Sequence, residues 1–313
     1  MVVIDAGTYI DLQVGGSTVH THYHERGPAG GTPVVFMHTG GAAVSAWMCW
    51  FRTLDAFAEA GYHVFAPDNL GAAYTQVLAG DAVPLPPDSR RPSPGFIGAF
   101  LDGVGIGQAH FIGNSGGSMA TTPFVAANPD RVLSFITSGG EPRLSTDQSS
   151  AIAPRLGQTA RMDFVRAMLS KPEVSFSDLR EATADFFFDR TLPVIDEVTE
   201  MRLALLKDPA VQERERKAAF LQLQGGRQNI DNSIFSRISA PTYLLHGRDE
   251  RYFYAAEDWP HLLEAAFLAS TVIPTCDSTF LARCGHWPQL EMPERYNALC
   301  IEFLRAVDAA PRP

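Results

Sequence analysis

Ala109-His110-Phe111-Ile112-Gly113-Asn114-Ser115-Gly116-Gly117-Ser118-Met119 is the stretch that decides how this chain folds. Residues 109–113 form an apolar run of strand length, and 119–127 carry helical spacing. Between them, Gly113-Asn114-Ser115-Gly116-Gly117 has the form G-x-S-x-G, in the strand–turn–helix context that this motif requires. So sharp a turn crowds the Ser115 backbone against its neighbours, which is why small residues flank it. It also lifts the hydroxyl into a cleft at the start of a helix. A glycine-rich turn without chemistry is the plain alternative for the pentapeptide taken alone.

Outward from this turn, the pattern on both sides alternates strand with helix. Two short alternating runs, 9–14 and 18–25, are joined by Gly15-Gly16 and predict a β-hairpin. In the second run His20, His22 and His24 share one strand face. No carboxylate or cysteine at metal-site spacing accompanies them, so they read as a solvated face. Residues 34–38 form a buried strand ending in His38-Thr39-Gly40-Gly41, and helical spacing over 51–60 stops at Gly61. Strands at 63–66 and 132–137 and a helix at 96–104 complete the first half. Strand and helix in alternation predict an α/β fold: a mostly parallel sheet wound with helices on both faces.

After Gly139-Gly140 the alternation stops. Residues 141–235 are mainly helical and polar, broken by Pro172, Pro193 and Pro209, and predict a helical lid inserted into a core formed by 1–140 and 236–313. Strand character returns at 242–246. A helix over 260–268, a last strand at 279–282 and an amphipathic helix over 293–307 close the chain.

The composition narrows the function classes. The chain has 313 residues, is 45% hydrophobic and carries a formal net charge of −10. That acidity argues against nucleic acid and anionic membrane surfaces as partners and leaves a small-molecule substrate. No stretch reaches the roughly 20 apolar residues of a membrane-spanning helix, and the first residues lack the basic and apolar regions of a signal peptide. Cys49, Cys276, Cys284 and Cys300 make no C-x-x-C pair, so reduced thiols and a cytoplasmic enzyme are expected.

A serine hydroxyl is a weak nucleophile and needs a base, which in turn needs an orienting acid. In the order Ser, acid, His, the candidates downstream of Ser115 are Asp249, just past the strand at 242–246, and His286, after the last strand. Both stand at carboxyl edges of strands, where the loops of a parallel sheet converge. Glu250, one residue further along the same loop, is the alternative acid. Asp68 also follows a strand but precedes Ser115. Donors for a developing oxyanion are expected from the N–H of Gly116 and from Gly40 or Gly41 in the loop after the first core strand. With nucleophile, base and oxyanion donors all supplied by the chain, no metal or organic cofactor is expected. No zinc-type ligand spacing and no G-x-G-x-x-G after the first core strand point to one.

With these residues in view, the chain resembles the α/β-hydrolases over nearly its whole length. More narrowly, it resembles the meta-cleavage product hydrolases, which cut a carbon–carbon bond in 2-hydroxy-6-oxo-2,4-dienoates formed by aromatic ring fission. Gly113-Asn114-Ser115, Gly247-Arg248-Asp249-Glu250-Arg251 and Cys284-Gly285-His286-Trp287 match that family's motifs, and Phe188-Asp189 through Glu200-Met201-Arg202 resembles its lid segment. The resemblance implies a triad of Ser115, Asp249 and His286. It also implies carboxylate binding by Arg202, a contact from Asn114 near the 2-oxo group, packing of Trp287 over the dienoate, and a homodimer. The chain departs from the family at His38-Thr39-Gly40-Gly41-Ala42-Ala43, at Asn69-Leu70-Gly71-Ala72-Ala73-Tyr74, and at Gly116-Gly117-Ser118. These departures surround the site and keep a carboxylesterase or lactonase open as the alternative within the fold. A small-molecule receptor and a cofactor-free dioxygenase are further alternatives.

Overall fold

The computed structural model describes residues 4–78, 94–140, 160–171, 173–209, 211, 232–250 and 258–311. Thr8–Val14 (β1) and Ser17–Arg26 (β2) form the expected antiparallel hairpin. Its two-residue turn, Gly15-Gly16, has φ of 58° and 88°, the left-handed pair that a type I′ turn demands and that glycine adopts without a Cβ clash. The strands Pro33–Met37 (β3), His63–Pro67 (β4), Gln76–Val77 (β5), Ala109–Asn114 (β6), Val132–Ser138 (β7), Thr242–Gly247 (β8) and Cys276–Leu281 (β9) follow. They join the hairpin in one sheet of order β1-β2-β4-β3-β6-β7-β8-β9, with β5 paired to β2. From β4 to β9 along that order every pairing is parallel.

Strands covered on both faces must be apolar on both. In β3, Val34 and Phe36 face a core with the helices Ala46–Trp50, Leu54–Glu59 and Pro293–Ala309. Val35 and Met37 face the opposite core, with Pro94–Gly103, Gly116–Ala127 and the 3-10 segment Asn232–Arg237. The chain runs from β3 to β4 on one side, then returns past β3 to β6 on the other. The order therefore reverses between β3 and β6. At such a switch point the loops leaving the two carboxyl ends diverge and open a crevice. The loop with Gly40 and Gly41 leaves β3 there, and Ser115 leaves β6.

Between β7 and β8 lie the helices Ala160–Leu169, Phe176–Ala184 and Val194–Lys207. They share one apolar cluster (Val165, Met168, Leu179, Leu205), which closes on Ala43 and Ala73 of the core loops. Much of 141–235, including Pro172, lies outside the described residues, as does Arg251.

Several elements differ from the sequence expectation. The helix expected over 51–60 is two, Ala46–Trp50 and Leu54–Glu59; Ser45 caps the first, its hydroxyl accepting from Met48 N at 3.1 Å. The last strand lies at Cys276–Leu281 and the preceding helix at Trp259–Val272. The histidine face of β2 is not solvated: His22 and His24 are buried beside Tyr74 and Trp47, and only His20 is partly open, near Asp11. Alternation places the three on one face, but the loops after β3 and β4 fold back over it. No described helix is long and apolar enough to cross a membrane.

Candidate active site

Ser115 has φ 53° and ψ −116°, a conformation that side chains other than glycine seldom adopt. Two ladders hold it there: Ser115 N donates to Ser138 O at 2.8 Å, and Met119 N donates to Ser115 O at 3.0 Å. The glycines around it are required by close backbone approach. A Cβ at Gly116 would lie 2.7 Å from Gly40 N, and one at Gly117 would run into the carbonyl oxygens of Met37 and His38. The helix start at Gly116 and the loop after β3 are thus in direct contact. That sets Gly40 N beside Gly116 where the carboxyl ends of β3 and β6 meet.

The loop after β3 is braced from beneath by buried polar groups. Asn69 N donates to His38 Nε2 at 2.8 Å, which places the His38 proton on Nδ1, and Nδ1 then donates to Thr39 O at 2.7 Å. Asp68, fully buried, accepts from Ala46 N at 2.7 Å and from His22 Nδ1 at 2.8 Å; His22 Nε2 lies 2.9 Å from Ala6 O. Burial pulls the His22 pKa down, but the hydrogen bond and charge of Asp68 outweigh it and leave it raised. Burial likewise works against the Asp68 carboxylate, yet its contacts with His22 hold its pKa below the ordinary value. Asp68 is set aside by chain order as a triad acid. Its bond to Ala46 N makes it a support for the far end of the loop that carries Gly40 and Gly41.

His286 and its acid require a correction. The carboxylate 2.8 Å from His286 Nδ1 belongs to Glu250, and both side chains are almost wholly buried. Asp249 instead turns outward, accepting from Arg283 N at 2.6 Å and lying 3.3 Å from Arg248 Nη2. Arg283 has φ 57°, so Asp249 stabilises the strained turn that leads to Cys284-Gly285-His286. Consecutive residues on an extended loop point to opposite sides. A strand-end rule locates the loop after β8 but not which of its two acids faces inward.

Ser115 and His286 flank Gly139-Gly140, the bend that follows β7. A Cβ at Gly139 would lie 2.6 Å from His286 O and 3.2 Å from its Nδ1; one at Gly140 would lie 2.6 Å from Ser115 O. The nucleophile candidate, the base candidate and its acid are therefore gathered at the carboxyl ends of β6, β7 and β8.

The three residues expected to bind substrate fare differently. Asn114 is fully buried and its Nδ2 donates to Ser138 O (3.2 Å), Ser138 Oγ (3.1 Å) and His286 O (3.2 Å). Those contacts make it a brace between the elbow and the histidine loop. Trp287 is fully buried and stacked on Phe186, ring centroids 3.9 Å apart, so its face is covered by protein. Arg202, on the helix Val194–Lys207, is 5% exposed. Its Nη1 donates to Thr183 Oγ1 at 2.8 Å and its Nη2 to Ala42 O at 3.2 Å. The lid thus delivers a guanidinium to the loop that carries Gly40 and Gly41. The four cysteines are all free; burial pushes Cys49 up to about 12 and Cys284 and Cys300 higher still, which makes these thiols poor nucleophiles.

Comparison with known proteins shows the family. The model of the alpha/beta hydrolase family matches residues 34–299, and the chain belongs to that family. It is 27% identical to a 2-hydroxy-6-oxononadienedioate/2-hydroxy-6-oxononatrienedioate hydrolase of Burkholderia vietnamiensis, across 95% of each chain. It is also 27% identical to a 2-hydroxy-6-oxo-6-phenylhexa-2,4-dienoate hydrolase of Comamonas testosteroni, across 91% of each. Among solved structures, a 2-hydroxy-6-oxo-6-phenylhexa-2,4-dienoate hydrolase from Rhodococcus sp. strain RHA1 superposes with a TM-score of 0.74 at 22% identity, covering 95% of this chain and 99% of that one.

Proposed function

We propose that this member of the alpha/beta hydrolase family is a serine hydrolase that cleaves a carbon–carbon bond in a 2-hydroxy-6-oxo-2,4-dienoate, the kind of compound that aromatic ring fission yields. The observation that carries the reading is Arg202. A guanidinium removed from water is costly, and here the lid holds it against the loop that carries Gly40 and Gly41, hydrogen-bonded to the Thr183 hydroxyl and the Ala42 carbonyl. A substrate carboxylate is the partner that suits a planar, two-pronged cation. Relatives named for dienoate and dienedioate substrates support the same class.

The residues then divide the chemistry between them. Glu250 holds the His286 proton on Nδ1 and leaves Nε2 as the base. His286 takes the proton of Ser115 as its oxygen attacks the 6-keto carbon of the ketonised substrate. The N–H groups of Gly116 and of Gly40 or Gly41 receive the oxyanion. Collapse breaks the bond between C5 and C6; the electron pair on C5 delocalises through C3=C4 onto the 2-keto oxygen, and a proton from His286 completes the 2-hydroxypentadienoate product. Water, deprotonated by His286, then releases the acyl group from Ser115 as a carboxylic acid. The balance is one substrate and one water in, two carboxylates out.

The test is a pair of kcat/KM ratios, for a dienoate and a neutral aryl ester, in wild type and Arg202→Ala. The expected loss is about 2–5 kcal/mol for the dienoate and under about 1 kcal/mol for the ester. Equal losses would make Arg202 a structural tie between lid and loop, and no loss for either would favour an esterase or lactonase.

A further inference from the structure

Glu291 ends the short helix Pro288–Glu291 that follows His286. Its carboxylate accepts from three backbone N–H groups drawn from two distant segments. Gly285 N donates to Oε2 at 2.7 Å; Phe188 N and Asp189 N each donate to Oε1 at 2.9 Å. The same two segments are tied once more, by His286 N donating to Phe186 O at 2.7 Å. They are also too close to admit a side chain between them: a Cβ at Gly285 would collide with Phe186 O and lie 2.9 Å from Phe188 N. The Asp189 carboxylate does not compete for these donors, because it turns to Thr191 N and Oγ1 at 2.9 and 2.6 Å. Residues 186–189 lead into the lid helix Val194–Lys207, whereas 285–286 carry the base.

We propose that Glu291 is a positioning residue for His286: its carboxylate clamps the 186–189 segment of the lid onto Gly285 and so fixes the base relative to Ser115 and Glu250. The inference rests on the Ser115–His286–Glu250 reading above. Such a clamp requires a carboxylate. It offers two oxygens with about four lone-pair directions and no proton, whereas an amide offers one acceptor oxygen and turns an NH2 toward backbone donors. Three charge-assisted bonds hold more firmly than neutral ones. His286 O is already gripped by Asn114 Nδ2 at 3.2 Å, so the clamp at Gly285 is the second of two restraints that bracket the base. A base displaced by a fraction of an ångström loses its alignment with the hydroxyl, and rate falls although binding does not.

The experiment compares wild type, Glu291→Gln and Glu291→Asp, with Ser115→Ala as blank. The readouts are the rate at which a fluorophosphonate labels Ser115, steady-state hydrolysis of p-nitrophenyl acetate, and circular dichroism to count folded molecules. Per folded molecule, Glu291→Gln should label about tenfold more slowly or worse, with kcat falling in parallel and KM within about twofold of wild type. Glu291→Asp keeps the charge on a shorter stem and should fall between the two. Labelling of folded Glu291→Gln within about twofold of wild type overturns the inference, whatever its melting temperature. Should Glu291→Gln fail to fold, Glu291→Asp decides, and a wild-type labelling rate in it overturns the inference. Failure of wild type itself to label at Ser115 would instead break the triad reading, and this inference with it.

Discussion

Among the described residues, two histidine–carboxylate pairs are buried on both sides, each with Nδ1 2.8 Å from its acid: His22 with Asp68 and His286 with Glu250. Both acids follow the carboxyl end of a parallel strand, β4 in one case and β8 in the other. What separates them is the backbone that carries the histidine. His22 sits within β2, its second nitrogen is on Ala6 O, and its ring is enclosed by Tyr9, Tyr74 and His24. His286 sits on a loop across Gly139-Gly140 from the strained Ser115. An imidazole held by a carboxylate on Nδ1 becomes a base only where Nε2 can face a reacting hydroxyl. The first pair is thus scaffold beside the loop that carries Gly40 and Gly41, and the second stands at the proposed site.

That contrast can be broken most directly at the nucleophile. Ser115→Ala should lower turnover about 10⁴-fold or more while leaving the circular dichroism spectrum unchanged. Retained turnover within about tenfold of wild type would remove the site from this crevice altogether.

Next in size is the choice of acid. Glu250→Gln should cost about 10³–10⁴-fold in kcat, since an amide cannot hold the Nδ1 proton in the same way. Asp249→Asn, which loosens only the turn at Arg283, should stay within about tenfold. If the two losses were interchanged, the acid would be Asp249 and the loop after β8 would be turned by one residue in solution.

At the scaffold pair the effect should move from rate to stability. His22→Gln leaves a buried carboxylate without its cation and should cost about 3–5 kcal/mol in urea unfolding, while kcat per folded molecule changes by less than about tenfold. The pair's pH window follows from its two shifts. The His22 pKa is raised, so its contribution is complete below the unfolded value and fades as pH rises through the folded one. The Asp68 pKa is lowered, so its contribution is present above the unfolded carboxylate value and fades as pH falls through the folded one. A large loss of kcat with little loss of stability would make His22 part of the chemistry and erase the contrast.

The smallest effect belongs to His24, whose Nδ1 lies 3.5 Å from Asp5 Oδ1, farther than the 2.8 Å of the two pairs above. Burial pushes His24 down to about 4, so between that value and 6.5 the unfolded chain binds a proton that the folded chain refuses. The His24 contribution to stability therefore falls as pH is lowered through this window, by about 2 kcal/mol between pH 7 and pH 5 and against the opposite trend of His22. His24→Gln should flatten that part of the profile, and an unchanged slope would show that the ring is already charged in the folded protein.

Local pattern settled a good deal of this. The apolar run before Gly113-Asn114-Ser115-Gly116-Gly117 and the helical spacing after it are properties of neighbouring residues, and so is the type I′ turn at Gly15-Gly16. Chain order alone named His286 as the base candidate and the loop after β8 as the source of the acid. Strand and helix periods are fixed by local sterics, and a parallel sheet follows from their alternation. Contacts between residues far apart in sequence were another matter. Which of Asp249 and Glu250 faces His286 depends on how the loop from β8 meets the turn at Arg283. Whether His22 and His24 meet water depends on loops from β3 and β4 folding over a strand that looks open in isolation. Asn114 and Trp287 turned out to be braced against Ser138 and Phe186, and Glu291 to gather donors from Gly285, Phe188 and Asp189. Each of these is a pairing of polar or aromatic groups brought together by three-dimensional packing, where burial forces every polar group to find a partner and only the folded chain determines which partner is within reach.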